Sequence, residues 1–225
     1  MIDEVLPEAA VSAESFGDPP DAWLFAAERA ALGEVGEARR REYTTVRHCA
    51  RRAIDGLGLP PAPLLPGPRG APQWPDGVVG SMTHCAGYRA AAVARHCEVR
   101  TVGIDAEPHA PLPEGVLDYI ALPEESAAIA RLVRQSPDVH WDRLLFSAKE
   151  ALYKAWFPLT HRWLGFDQAV IIPEPDGTFH ARVLLPALPE GAGITAVFGG
   201  RWLARNGLLL ACASCPAAFD RVSGM

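Results

Sequence analysis

Apolar residues at Tyr43, Val46, Ala50, Ala53, Ile54 and Leu57 step by three or four, so residues 37–57 are expected to form an amphipathic helix ending at Gly58 and Pro60. The chain then changes character. Pro60, Pro61, Pro63, Pro66, Pro68, Pro72 and Pro75, with Gly67, Gly70 and Gly77, exclude helix and central strand and leave a long, stiffened loop that Leu64, Leu65 and Trp74 can pack. Short strands are expected at 78–84, 88–94 and 99–105, the first two joined through Ala86-Gly87. Two helical patterns follow, at 114–135 and 141–156. The second has Leu144, Leu145, Ala148, Leu152 and Ala155 as its apolar face and Pro158 as its stop. Strand periodicity then returns. Asp176-Gly177 separates 169–172 from 178–185, and Asn206-Gly207 separates 195–204 from 208–212, as two-residue hairpin turns do. This order predicts an α+β fold of two halves, each a small antiparallel sheet with helices on one face. No sequence repeat recurs at a fixed period, so any likeness of the halves is one of shape.

Length and charge narrow the reading. At 225 residues the chain fits one large domain or two small ones and needs no metal or disulfide staple for stability. A net charge of -6 is too acidic for a surface devoted to nucleic acid, so any phosphate site must be local. Apolar runs such as 90–94 and 208–212 fall far below the ~20 residues that cross a bilayer. The first ten residues hold Asp3, Glu4 and Glu8 and no Lys or Arg, unlike a secretory signal, and a cytoplasmic location is expected. The five cysteines, an odd number, do not form a disulfide framework, and Cys212 and Cys215 are expected to be buried small hydrophobes.

Candidate chemistry gathers in three places. Val102-Gly103-Ile104-Asp105-Ala106-Glu107 is an apolar strand ending in two carboxylates two residues apart, which a strand directs to one face. In Phe146-Ser147-Ala148-Lys149-Glu150-Ala151-Leu152-Tyr153-Lys154, Glu150 and Lys154 stand at i and i+4 on one helix face. Alone these are a solvated strand end and a surface ion pair. Together, three carboxylates and two lysines suit a hard, oxygen-loving ion such as Mg²⁺ shared with the phosphates of a substrate. The third place pairs the Ser-x-Thr-His element between Gly80 and Gly87 with a basic concentration at Arg39, Arg40, Arg41, Arg47, Arg51, Arg52 and Arg69, a candidate phosphate clamp.

These segments, with Thr45-Val46-Arg47-His48-Cys49-Ala50-Arg51 and Trp156-Phe157-Pro158-Leu159-Thr160, resemble the 4'-phosphopantetheinyl transferase superfamily, in its Sfp and enterobactin-synthase branch and near the actinobacterial enzymes. The resemblance covers about 39–166. It implies two similar α+β subdomains related by pseudo-twofold symmetry, residues 1–106 and 107–225, with the active site between them in a monomer. It further implies that Asp105, Glu107 and Glu150, with the carbonyl of Ala106, hold Mg²⁺, or Mn²⁺, against the pyrophosphate of coenzyme A. Lys149 and Lys154 would contact phosphates, Thr83 and His84 would meet the 3'-phosphate end, and Arg39, Arg47 and Arg69 would grip the nucleotide. Tyr153 and Trp163 are candidate walls of the pantetheine channel. One position departs from close relatives: Pro66 stands where they have a lysine, so that contact is lost or passes to Arg69.

The implied reaction moves 4'-phosphopantetheine to a serine of an apo acyl or peptidyl carrier protein, with Glu150 as base and Lys154 on the leaving phosphate. The pathway served, whether for fatty acids, polyketides, nonribosomal peptides or siderophores, is not encoded in these motifs. Rival readings are a coenzyme A-binding regulatory module without catalysis and a Mg²⁺-dependent nucleotide pyrophosphatase. The complete set of carboxylates and lysines argues against the first.

Overall fold

Strand β3 (Tyr88–Arg95) is buried on both faces except at its last residue, and the alternation of its side chains explains why. Tyr88, Ala90, Ala92 and Ala94 point one way into a core shared with β4 (Val99–Pro108) and β8 (Leu208–Pro216), and Ala91 and Val93 point the other way onto helix α2 (Glu37–Gly56). The computed structural model, which describes residues 1–185 and 197–217, is thus layered. The first sheet, in the order β1-β3-β2, is antiparallel and uses β1 (Val11–Ser15) and β2 (Val78–Cys85) as edges. Helix α2 covers its outer face through Cys49, Ala50, Ala53 and Ile54.

The second sheet has five strands in the order β4-β8-β7-β6-β5, all antiparallel, with β5 (Ala169–Pro173), β6 (Thr178–Val183) and β7 (Val197–Arg205). Helices α4 (Pro123–Gln135) and α5 (Trp141–Thr160) pack on its outer face. Helix α5 comes unusually close to β4: a Cβ at Gly103 would stand 2.0 Å from the Ala151 carbonyl oxygen, so only glycine fits, and the Thr101 hydroxyl donates to the Ala155 carbonyl at 2.7 Å. The sheets meet along β2 and β4. Ile104 N–H donates to Ser81 Oγ and Ala106 N–H to Thr83 Oγ1, both at 3.0 Å, so side-chain hydroxyls satisfy backbone donors that no neighbouring strand takes up on that edge.

The α+β class and the two antiparallel sheets agree with the sequence. Several details do not. The pattern at 114–135 is two helices, α3 (Val116–Ile120) and α4, because Pro123 drives Leu122 into extended geometry, ψ 158°, and opens a new helix at its own position. Pro158 does not stop α5: its missing N–H falls in the last turn, and the helix runs on to Thr160 before His161 turns left-handed at φ 52°. The dividing line expected at 106 falls within β4, which pairs with β8 in the second sheet. Strand β1 and helix α1 (Ala26–Leu32) add to the expected elements. Positions 195–196 of an expected strand lie outside the described residues. Asn206 and Gly207 both have positive φ, as the hairpin reading requires. Cys212 is buried between the sheets, and Cys215, on the other side of β8, is half-buried against the α5 core.

Candidate active site

Strand alternation puts Thr101, Gly103 and Asp105 on the α5 side of β4, where Asp105 meets Ser147 and Lys154. Its carboxylate is buried and takes three donors: Lys154 Nζ at 2.7 Å and the Thr83 hydroxyl at 3.4 Å on Oδ1, and the Ser147 hydroxyl at 2.9 Å on Oδ2. Lys154 also donates to the Ile104 carbonyl at 3.1 Å. Glu107, two residues along, pairs with Arg143 at 2.9 Å. Ser147, Glu150 and Lys154 recur at i, i+3 and i+7 on α5, so Glu150 belongs to the same helix face. Glu150 has no hydrogen bond or ion pair of its own among the described residues. Burial and then the Asp105 charge push its carboxyl above the usual range, with Glu107 adding to the rise and Lys154 opposing it. Glu107 is pushed up by burial and Asp105, against the pull of Arg143 and Lys154.

Three carboxylates that disfavour one another's charge form a donor set of hard oxygens for a divalent cation. The set is not preformed. Among the described residues no three His, Cys, Asp or Glu side chains are grouped to hold a metal ion, and Lys154 and Arg143 engage two of the carboxylates.

From the other half, α2 and β2 bring Arg39 and His84 together: Arg39 Nη1 donates to His84 Nε2 at 3.2 Å, and burial holds the imidazole below its ordinary pKa. Between α2, the proline-rich loop and the end of α5 lies a cleft of about 320 Å³ lined by Arg39, Arg69, His84, Glu150, Tyr153 and Lys154. Its loop wall is a hook. Pro66 bridges to Pro72, Gly67 N–H donates to the Ala71 carbonyl at 2.7 Å, and Arg69 takes a left-handed φ of 54° at the bend. The Arg69 guanidinium lies 5.2 Å from the centre of the Trp163 ring. Beyond Glu150 and Tyr153, which border both, a second pocket of about 510 Å³ is lined by Tyr119, Lys149, Trp163 and Phe166.

The structure thus gathers Arg39, Arg69, Thr83, His84, Asp105, Ala106, Glu107, Glu150 and Lys154 around one junction. Two expected residues are committed elsewhere. Arg47 borders the cleft but is buried: its Nε donates to the Leu64 carbonyl at 2.9 Å, its guanidinium covers the Tyr43 ring at 3.2 Å, and it lies 3.8 Å from Glu28. Lys149 spends its three N–H groups on Glu125 at 2.8 Å and on the carbonyls of Phe166 and Ala169 at 2.6 and 3.0 Å, so none is left for a phosphate. Adjacent helix positions point about 100° apart, which sends Lys149 away from the Glu150 and Lys154 face. Sequence reasoning passed over Ser147, Arg143 and the buried carboxylates Glu28 and Glu125. Only Ser147 carried a signal, its spacing of three from Glu150.

A profile for the 4'-phosphopantetheinyl transferase N-terminal domain matches residues 27–94, and one for the 4'-phosphopantetheinyl transferase superfamily matches residues 101–198. The chain is 53% identical over 214 residues to the 4'-phosphopantetheinyl transferase Svp of Streptomyces mobaraensis, covering 93% of this chain and 87% of that one. It is 49% identical over 219 residues to the 4'-phosphopantetheinyl transferase PptT of Mycobacterium tuberculosis, covering 93% and 96%. More distantly, it is 31% identical over 182 residues to enterobactin synthase component D of Salmonella typhi, covering 78% and 71%. Identity at this level over nearly the whole length, with the acidic and basic residues of the motif drawn to one junction, makes the chain an enzyme of the 4'-phosphopantetheinyl transferase superfamily.

Proposed function

We propose that the chain transfers the 4'-phosphopantetheine group of coenzyme A to a serine of apo acyl and peptidyl carrier domains and releases adenosine 3',5'-bisphosphate. The observation that carries this reading is the meeting of Asp105 from β4 with Ser147 and Lys154 from α5, beside a cleft lined by Glu150, Lys154, Arg39, Arg69 and His84. The cleft takes the nucleotide, with Arg39, Arg69 and His84 towards its phosphates, while the Thr83 hydroxyl is held between Ala106 N–H and Asp105. Arg69, held out on the hook, takes the part of the lysine that Pro66 replaces. The larger pocket takes the pantetheine arm between Tyr153, Trp163 and Phe166.

Asp105, Glu107 and Glu150, with the Ala106 carbonyl, would hold Mg²⁺, or Mn²⁺, whose oxygen ligands are the same. When bound, the ion neutralises charge on the pyrophosphate, which is what phosphoryl transfer chiefly requires. The serine oxygen attacks the β-phosphorus of coenzyme A and the bond from that phosphorus to the bridging oxygen breaks. Glu150 takes the serine proton, directly or through water. Burial and the Asp105 charge raise its carboxyl's affinity for a proton, which suits it as a base. Lys154 faces the departing phosphate, 2.7 Å from Asp105. The enzyme acts as a cytoplasmic monomer, since one chain supplies both walls of the cleft.

Intact-mass measurement of an apo carrier after incubation with the protein, coenzyme A and Mg²⁺ tests this reading. A gain of one phosphopantetheine group that vanishes with EDTA is expected, with adenosine 3',5'-bisphosphate appearing only when carrier is present. Release without carrier would make the protein a pyrophosphatase. Coenzyme A binding with no transfer to either carrier type would make it a regulatory module.

A further inference from the structure

Lys149 and Glu125 are among the most buried charges in the chain, with 3% and 0% of their side chains exposed. Both are fully committed. Besides Lys149, Glu125 accepts from Leu122 N–H at 2.7 Å and from Ile171 N–H at 2.7 Å. Lys149 holds the carbonyls of Phe166, which opens the short turn Phe166–Gln168, and of Ala169, which follows it. That turn and the residues just before it, Trp163 to Phe166, form a wall of the 510 Å³ pocket. The pair therefore fastens the wall to α4 and α5 at three points: Phe166, Ala169 and Ile171.

We infer that Lys149 and Glu125 serve the transfer as positioning residues, fixing the wall against which the pantetheine arm lies, and that Lys149 touches no phosphate. This rests on the reading of the larger pocket given above. For Lys149 to reach a phosphate it would surrender three hydrogen bonds and strand Glu125 as a buried charge without its partner. Lys154, by contrast, is 29% exposed, borders the cleft and already lies beside the carboxylates. An independent parallel stands in the other half, where buried Glu28 accepts from Leu64 N–H at 2.9 Å and so fixes the chain just ahead of the Pro66–Pro72 hook.

Two readouts test the inference. The first needs no ligand: amide exchange of residues 165–171 in Lys149→Met and in the double variant Glu125→Gln/Lys149→Met, which leaves no lone buried charge and so keeps a folded protein available. Exchange there is expected to quicken about tenfold, or ~1.4 kcal/mol of local opening, with α2 unchanged. Unaltered exchange in both variants overturns the inference. The second is competition against coenzyme A by 4'-phosphopantetheine and by pantetheine, which lacks the phosphate. Both should weaken by the same factor, adenosine 3',5'-bisphosphate should bind as before, and KM for coenzyme A should rise with kcat changed less than about twofold. A Lys149→Met variant that loses 4'-phosphopantetheine several-fold more than pantetheine makes Lys149 a phosphate contact and overturns the inference. Failure of the wild-type protein to bind coenzyme A would sink the functional reading instead, and the exchange measurement would still judge the pair.

Discussion

Glu28 in the first half and Glu125 in the second occupy the same local position and do the same work with different partners. Each is the third residue of a short or medium helix, α1 or α4, and each takes the N–H of the residue preceding that helix, Phe25 or Leu122. Each also takes a backbone N–H from a segment distant in sequence, at Leu64 or Ile171, and a cation from the long helix that follows, Arg51 of α2 or Lys149 of α5. A capping residue has thus become a three-way clamp in both halves. The cations differ. Glu28 faces two guanidiniums, Arg51 at 3.1 Å and Arg47 at 3.8 Å, both stacked on aromatic rings and incapable of shedding their charge. Glu125 faces one ammonium, which can. The first clamp is therefore the more costly to break.

Removing each carboxylate sharpens that difference. Glu28→Gln should cost the most, about 3–5 kcal/mol by urea unfolding at neutral pH, because two buried guanidiniums lose their partner. Glu125→Gln should cost about 3 kcal/mol at the same pH. Its deficit should shrink as pH rises. Burial already holds the Lys149 ammonium below its ordinary 10.5, so the folded state favours the neutral amine. That penalty is full below the folded pKa and fades as pH climbs towards the unfolded value, so the gap between the two variants should widen in alkali. A gap independent of pH would mean that Lys149 keeps its proton without Glu125, as the guanidiniums keep theirs without Glu28.

Smaller effects separate the halves further. In the first, α2 touches its sheet through side chains. In the second, α5 rests on the bare backbone of β4, so Gly103→Ala should cost about 1–3 kcal/mol and lower transfer by shifting Asp105 from Ser147 and Lys154. Smallest of all, Glu150→Gln should raise the melting temperature slightly at pH 7. The folded state holds the Glu150 carboxyl above its unfolded value of 4.5, so ionisation opposes folding at neutral pH, and the gain should disappear as pH falls below 4.5. A melting temperature lowered by Glu150→Gln would assign the residue a structural role.

What the sequence disclosed follows the range of the interactions. Helix α2, the hairpins at Asp176-Gly177 and Asn206-Gly207, and the convergence of Asp105 with Glu107 are local and were legible from spacing. The two clamps were not, because Leu64 is 36 residues from Glu28 and Ile171 is 46 from Glu125, and nothing in a lone glutamate announces a partner so far away. Lys149 misled for the opposite reason. Its place next to Glu150 suggested a shared destination, whereas its ammonium is bound to Glu125 and to the carbonyls of Phe166 and Ala169. The meeting of β2 with β4 through Ser81 and Thr83 was hidden too, since hydroxyls replace the backbone pairing that strand patterns signal.

In the proposed reaction Glu150 acts at the junction of the halves as the base for the serine. The rate of phosphopantetheine transfer by Glu150→Gln, followed by intact mass of the carrier at saturating coenzyme A and Mg²⁺, tests it most directly. A fall of at least about 100-fold is expected, the usual worth of a positioned base, with coenzyme A still bound. Transfer at the wild-type rate would contradict it.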